Sequence, residues 1–230
     1  MVVFFGTPEL LKRTTSLLGP IWAHGFGSTE QGAVTTRLLP TDLEGDPARI
    51  ASVGRAASPF FDVAIFDPDG RRLGPREIGE IGVRSAMSSG GYWSLEEATE
   101  RAFFEGDWFR PRDVGYLDED GFLYYADRAG DEIRTGDGVV YPHYVEAELL
   151  RHPAVANCGV VGVEEEIVAA VLLKEPGEPS DELQEAILAM CAGDVRRPDR
   201  VVFVSQLPTV LGGAKVQRGQ LREQLLAARN

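Results

Sequence analysis

Cysteine is scarce in this chain: Cys158 and Cys191 are the only two in 230 residues. They form no CxxC pair, metal spacing or disulfide framework, so a reducing, cytoplasmic setting is expected. Histidine is as rare, and His24, His143 and His152 have no mutual ligand spacing; they read as structural or exposed. No apolar run approaches the ~20 residues that span a bilayer. The opening MVVFF is too short for a signal core and lacks a basic flank. Basic residues are outnumbered, 23 against 36 acidic, for a net charge of -13. That balance excludes the basic face of a nonspecific nucleic-acid binder. No G-x-S-x-G elbow supports a serine hydrolase. A soluble protein with neither a membrane nor a nucleic acid as partner is the expectation.

The hydrophobic content of 43% beside 26% charged residues is that of an ordinary globular chain, large enough for one or two cores. Residues 1–34 read as an α/β unit. MVVFF is a buried strand; TPELLKRTTSLLG is a helix with Thr7 as N-cap, Pro8 at its first position and Gly19 as its stop; IWAHGFG is a second strand. Parallel sheets of this kind need further strands beside them. Residues 35–128 are strand-rich and turn-rich, a β-barrel-like hairpin subdomain. VAIFDPDGRRLGPREIGEIGVRS predicts successive hairpins, SLEEATERAF a short helix capped by Ser94 with Glu97 in the capping box, and GYLDEDGFLYY a hairpin turning at Asp120-Gly121. Residues 129–230 predict a small α+β domain. Its elements are a helix from Pro142, strands over VANCGVVGV and EIVAAVLLK, a helix over SDELQEAILAMCA and a strand over RVVFVSQLP. The fold class is mixed α+β, with a boundary at about Arg128 to Gly130. From Arg196 onward seven basic residues face two acidic ones; on charge alone this is the solvated face of a C-terminal helix.

The acid-rich stretch from Asp107 to Pro142 suggests a calcium loop, but placing Gly121 at the sixth loop position puts Tyr116 at the first, where a carboxylate is required. The aspartates there make turns. What remains is an ordered series of short patterns: GFGSTE, GEIGVRS, GGYWSLEEATERAF, then GDWFRPRDVGYLDEDGFLYYADRAGDEIRTGDGVVYP, and finally LPTVLGGAKVQRGQLRE. Together they resemble the adenylate-forming superfamily of acyl-CoA synthetases, nonribosomal-peptide adenylation domains and luciferases. The resemblance runs from about Val3 to Glu223 and corresponds to the C-terminal half of such proteins.

The resemblance implies activation of a carboxylate by ATP and Mg²⁺, followed by transfer to a thiol of CoA or of carrier-protein pantetheine. Phe26, Gly27, Ser28, Thr29 and Glu30 match its aromatic-Gly-x-Thr-Glu motif, with Thr29 toward the AMP phosphate and Glu30 as the metal ligand. Asp113 matches the ribose-binding aspartate and Arg128 a ribose or phosphate contact. Gly130 falls on the interdomain hinge, and Gly136 in the loop that reaches the thiol tunnel. Lys215 matches the lysine that stabilises charge during adenylation, and Arg218 completes that pattern. Three departures stand out. Pro111-Arg112 replace the usual Thr-Gly before the aspartate, removing a backbone donor and adding bulk where glycine permits close approach. Gly130 replaces a charged hinge, and Ala214 replaces a glycine.

Nothing in the chain matches the family's phosphate-gripping loop. The expectation is therefore a truncated ligase homologue that does not adenylate alone. It would act with an N-terminal-half polypeptide, a carrier protein or a second copy of itself, or bind a small carboxylate's acyl-adenylate or acyl thioester. Acyl transfer from a thioester without ATP, and a non-catalytic interaction module, are the alternatives.

Overall fold

A computed structural model describes residues 2–4, 8–104, 107–175, 180–193, 195–210 and 215–228. Two compact units, Met1–Ala129 and Gly130–Asn230, make up the chain, and the fold is mixed α+β.

In the first unit, β1 (Val2–Phe4) runs parallel to β2 (Trp22–Ser28), and α1 (Pro8–Leu18) makes the crossover. Thr7, the expected cap of α1, lies outside the described residues. Gly19 ends the helix at φ +78°, its N–H returning to the Thr15 carbonyl at 2.9 Å, the left-handed stop that glycine adopts without a Cβ penalty. One face of α1 buries Leu11 and Thr14. The Trp22 indole donates to Thr15 Oγ1 at 2.7 Å and so ties helix to strand. Antiparallel β3 (Ala33–Leu38) and β4 (Arg55–Ala56) complete a four-stranded sheet.

The second sheet of this unit holds β5 (Asp62–Phe66), β6 (Gly79–Arg84), β7 (Phe103–Phe104), β8 (Trp108–Phe109), β9 (Asp113–Leu117) and β10 (Leu123–Arg128). Its order is β10-β9-β6-β8-β7 with β5 also on β6, so the expected barrel-like subdomain is an open sheet rather than a closed barrel. The β5–β6 segment is also simpler than successive hairpins. The chain reverses at Asp67–Gly70, touches back through a single Phe66–Arg72 bridge, and only then enters β6. Between β9 and β10 the turn is as read. Asp118 Oδ1 accepts from Asp120 N at 3.0 Å and Phe122 N at 2.8 Å, and Gly121 takes φ +79°.

The short helix α2 (Glu96–Arg101) corrects one reading. Ser94 is not its cap: it sits at φ +56°, and Leu95 precedes the helix with no side-chain cap. Thr99 instead organises the entry, its hydroxyl accepting from Tyr92 N at 2.8 Å and donating to the Leu95 carbonyl at 3.0 Å. A local Ser-x-x-Glu pattern loses to this longer-range bond.

The second unit is built on β13 (Val155–Val163), β14 (Glu166–Leu173) and β15 (Arg200–Phe203), in that order. Before them come a ribbon of β11 (Ile133–Thr135) and β12 (Gly138–Val140), and α3 (Pro142–Leu149). Proline at the start of α3 costs nothing because its missing N–H is an orphan there. The helix α4 (Asp181–Leu188), capped by Ser180 accepting from Leu183 N at 3.2 Å, carries the chain from β14 to parallel β15. A ribbon of β16 (Thr209–Val210) and β17 (Lys215–Val216) leads into α5 (Arg218–Ala227).

Both faces of this sheet are buried, which is why its strands read as unbroken apolar runs. Val160, Ile167, Ala169 and Val171 point to one side with Val145 and Leu149 of α3 and Ile187 of α4. Their neighbours Val161, Val163, Val168 and Ala170 point to the other with Leu221 and Leu225 of α5. The C-terminal helix read from charge as a solvated face is present as α5, and its other face supplies one whole layer of this core.

Candidate functional site

The first unit carries an open cleft of about 410 Å³. It is walled by the end of β2, by Glu30 in the next turn, by Tyr92 and α2, by Phe109–Asp113, and by Arg128 at the end of β10. Three of the residues singled out in the sequence, Glu30, Asp113 and Arg128, meet there.

The turn that presents Glu30 is set by a buried side chain. Gln31 is fully buried, and its Oε1 accepts from Ser28 N at 3.0 Å and from Thr35 Oγ1 at 2.6 Å. Gly32 then takes φ +76°; a Cβ there would lie 2.5 Å from the Met87 carbonyl, so the 87–92 loop packs directly on the turn. That loop brings Tyr92, whose hydroxyl donates to Glu30 Oε1 at 3.2 Å. Glu30 titrates below the ordinary glutamate range. Its own backbone N–H contributes most, followed by the Ser28 hydroxyl; Tyr92 and the Arg128 charge add to both, against partial burial. Tyr92 is shifted up, by burial first and then by the Glu30 charge.

Asp113 and Arg128 face each other because they are register partners of β9 and β10. Arg128 Nε lies 3.4 Å from Asp113 Oδ1, with the carboxylate largely buried and the guanidinium half exposed. Before Asp113 the chain bends through Arg112 at φ +62°, and the Arg112 carbonyl accepts from Ala129 N at 2.9 Å. Pro111 and Arg112 line the cleft and leave it open, so the added bulk does not close the site. Arg110 is held back from the ligand space. It pairs with Glu80, Nε to Oε1 at 3.1 Å, and its guanidinium stacks 4.2 Å from the Phe104 ring centre.

Other expected residues lie elsewhere. Phe26 is in the hydrophobic core with Phe61, Ile65 and Ile81 rather than on the cleft wall. Thr29 is exposed and does not line the cleft. Gly136 is in the β11–β12 turn and Lys215 begins β17, both in the second unit. The Lys215 side chain, and Ala214 beside it, lie outside the described residues. Sequence reasoning missed Gln31 and Tyr92. Tyr92 sits inside the GGYW pattern but was given no role, and nothing local distinguishes Gln31 from a surface glutamine.

Two carboxylates, a phenol and several arginines around one cleft suit an anionic ligand with hydroxyl groups. Among the described residues, no three His, Cys, Asp or Glu side chains group into a metal cage. Glu30 as a lone carboxylate suits a magnesium ion that completes its shell with water and ligand phosphates.

Comparison with known proteins bears on this arrangement. Residues 6–93 match the AMP-binding enzyme family and residues 144–211 the AMP-binding enzyme C-terminal domain. A medium/long-chain-fatty-acid–CoA ligase of Mycobacterium tuberculosis is 36% identical over 222 residues, 90% of this chain and 38% of the ligase. The crystal structure of anthranilate CoA ligase in complex with anthranoyl-AMP superimposes with a TM-score of 0.86 at 28% identity, covering 99% of this chain and 45% of that one. O-succinylbenzoate coenzyme A synthetase of Bacillus subtilis, bound to ATP and magnesium, gives 0.82 at 30% identity over 96% of this chain and 46% of its own. The chain thus belongs to the adenylate-forming superfamily, with acyl-CoA ligases as homologues, and it spans less than half the length of these relatives. No helix among the described residues is long and apolar enough to cross a membrane.

Proposed function

We propose that the cleft of the first unit binds the AMP moiety of an acyl-adenylate and that the chain serves carboxylate activation for transfer to a thiol. The meeting of Glu30, Asp113 and Arg128 on one cleft carries this reading. An ionised carboxylate is an acceptor only, and Asp113 suits two vicinal ribose hydroxyls as donors. Arg128 holds Asp113 in place, and its half-exposed guanidinium is available to a phosphate oxygen. The lowered affinity of Glu30 for protons keeps it anionic, the state a hard cation requires. Bound there, Mg²⁺ would supply charge neutralisation for the phosphoryl oxygens. Lys215 in the second unit is the lysine assigned to charge stabilisation on the reacting carboxylate, and Gly136 belongs to the loop assigned to the thiol step.

The relatives use more than twice this length of polypeptide, so binding rather than turnover is the activity to assay in these 230 residues. Adenylation would draw on a second polypeptide or on segments that these residues do not span. The test is calorimetric titration with AMP and with a non-hydrolysable acyl-adenylate analogue. Saturable binding that weakens about tenfold or more in Asp113→Asn is expected. Absence of binding, or equal binding by the variant, would overturn the assignment.

A further inference from the structure

Gln31 is the buried group beside the cleft that this reading leaves without a task. It is fully buried, and among the described residues it is the one amide side chain in the buried set. Its Oε1 accepts from Ser28 N at 3.0 Å and from Thr35 Oγ1 at 2.6 Å, so one oxygen ties the end of β2 to β3 across the turn that carries Glu30. The backbone N–H of Ser28 decides which end of the amide faces it, since Nε2 can only donate. Nε2 is then left buried with no partner among the described residues. An amide kept for its oxygen, with its donors unmatched, is a poor filler of space and calls for a reason beyond packing.

The turn it braces is held from several sides. Gln31 N donates to the Ser28 carbonyl at 3.2 Å and Gly32 N to the Thr29 carbonyl at 3.0 Å, two bonds that close the chain around Glu30. Ser89 N donates to the Glu30 carbonyl at 2.7 Å, and the Tyr92 hydroxyl donates to Glu30 Oε1. Such bracing matters to a metal ligand in particular. Magnesium takes oxygens at about 2.0–2.1 Å in a near-octahedral array, and a metal-binding carboxylate owes its aim to the hydrogen bonds behind it. Ribose recognition does not draw on this turn, because Asp113 and Arg128 are placed by the β9–β10 register.

We propose that Gln31 is a positioning residue for a divalent cation in this cleft: its amide oxygen fixes the turn so that the Glu30 carboxylate meets the cation from one direction. Gln31 does not line the cleft and acts through Glu30. The inference rests on the nucleotide reading of the cleft and on Glu30 as the cation's ligand.

Mn²⁺ is the probe, since it takes the same oxygen ligands as Mg²⁺ and its paramagnetic resonance signal is lost on binding. AMP-saturated protein would be titrated with Mn²⁺, and the binding that disappears in Glu30→Gln defines the Glu30 site within a chain of net charge -13. Gln31→Met keeps the length of the side chain and removes the acceptor. It should weaken the Glu30 site for Mn²⁺ about tenfold or more. AMP affinity measured without metal should stay within about twofold of the parent. In a Glu30→Gln background the same substitution should have no further effect on Mn²⁺. Thr35→Val removes one of the two bonds to Oε1 and should weaken the site by a smaller factor; it carries the test if Gln31→Met does not fold. The proposal is overturned if the folded variant binds Mn²⁺ as the parent does, or if AMP and Mn²⁺ affinities fall by the same factor, which is general loss of cleft structure. Parent protein that binds AMP but shows no Glu30-dependent Mn²⁺ site would overturn it as well. No binding of AMP by the parent would instead remove the nucleotide reading of the cleft itself.

Discussion

Arg218→Met should cost the second unit about 3–5 kcal/mol. Arg218 is the first residue of α5, where the helix dipole disfavours a cation. Two carboxylates reverse that penalty. The guanidinium gives Nε and Nη2 to Glu146 of α3 at 3.1 and 2.7 Å, and Nη1 to Asp131 at 3.0 Å. The pair is well buried, with 15% of the Arg218 side chain and 13% of Glu146 exposed. Solvent therefore screens it little. Methionine keeps the apolar stem and removes the charge, leaving Glu146 buried opposite Asp131 with, among the described residues, the Val160 N–H at 2.8 Å to hold it. A unit of roughly 100 residues has about 5–15 kcal/mol in total, so the loss is a large fraction. All three tryptophans, at 22, 93 and 108, lie in the first unit. Urea unfolding should accordingly be followed by far-ultraviolet circular dichroism, and with m of about 1–3 kcal/mol/M the midpoint falls by ~1 M or more. Adding Glu146→Gln removes the uncompensated charge and should restore about half the loss or more. A loss below about 1 kcal/mol, or no rescue by the second substitution, would refute the reasoning.

Three further outcomes are expected. Arg112→Gly relieves about 1–2 kcal/mol of left-handed strain against about 0.5–1 kcal/mol of added chain entropy; tryptophan-detected melting should rise by ~2–4 °C, and a fall would contradict it. Glu30 should titrate below the ordinary glutamate range by carboxyl NMR, and Tyr92→Phe should move its midpoint upward; an unmoved midpoint would exclude the phenol as a cause. Because the folded value is depressed, the stabilisation from Glu30 is complete above the unfolded value and is lost as pH falls through the folded one. Burial pushes the Cys158 thiol up and Cys191 to about 11, so neither should react promptly with a disulfide reagent at about pH 8 until denaturant is added. Prompt stoichiometric release from the native protein would show that one of them is accessible as thiolate.

The two units were unequally legible in the sequence. In the second, strands buried on both faces leave unbroken apolar runs, and Pro142 and Ser180 mark helix starts by their own chemistry. In the first, β7 and β8 are two residues each and exist through pairing, Phe103–Phe104 with Trp108–Phe109 and Phe109 with Val83 of β6; no local pattern encodes them. Ser94 failed as a cap because Thr99, five residues on, bonds to the loop before it. The site shows the same division. Asp113 and Arg128 are only half readable as a pair: the hairpin turn at Gly121 alone would set Asp113 opposite Asp127, and the bulge between Tyr125 and Asp127 is what brings Arg128 to it. Phe26 is not readable as core from its motif, since an aromatic beside glycines looks the same whether it faces a ligand or Ile65 and Ile81. Gln31 is decided by contacts at Ser28 and Thr35 that only the folded turn creates.

Pro111 and Arg112 stand where the resemblance expects Thr-Gly, on a bend that the neighbouring strands hold. The bend before Asp113 is imposed by the β9–β10 register and by the Ala129 N–H bound to the Arg112 carbonyl. A residue at that bend must take φ near +62° whether or not it is glycine. Bulk alone would then be a pure cost, and the same fold would be more stable with glycine. If Arg112 were merely tolerated, Arg112→Gly would raise stability and leave AMP affinity untouched. If it contacts a bound nucleotide, the substitution should raise stability while weakening AMP binding, the trade expected where a binding site is maintained against the fold's own interest. Measuring both quantities on one variant therefore separates a scar from a site.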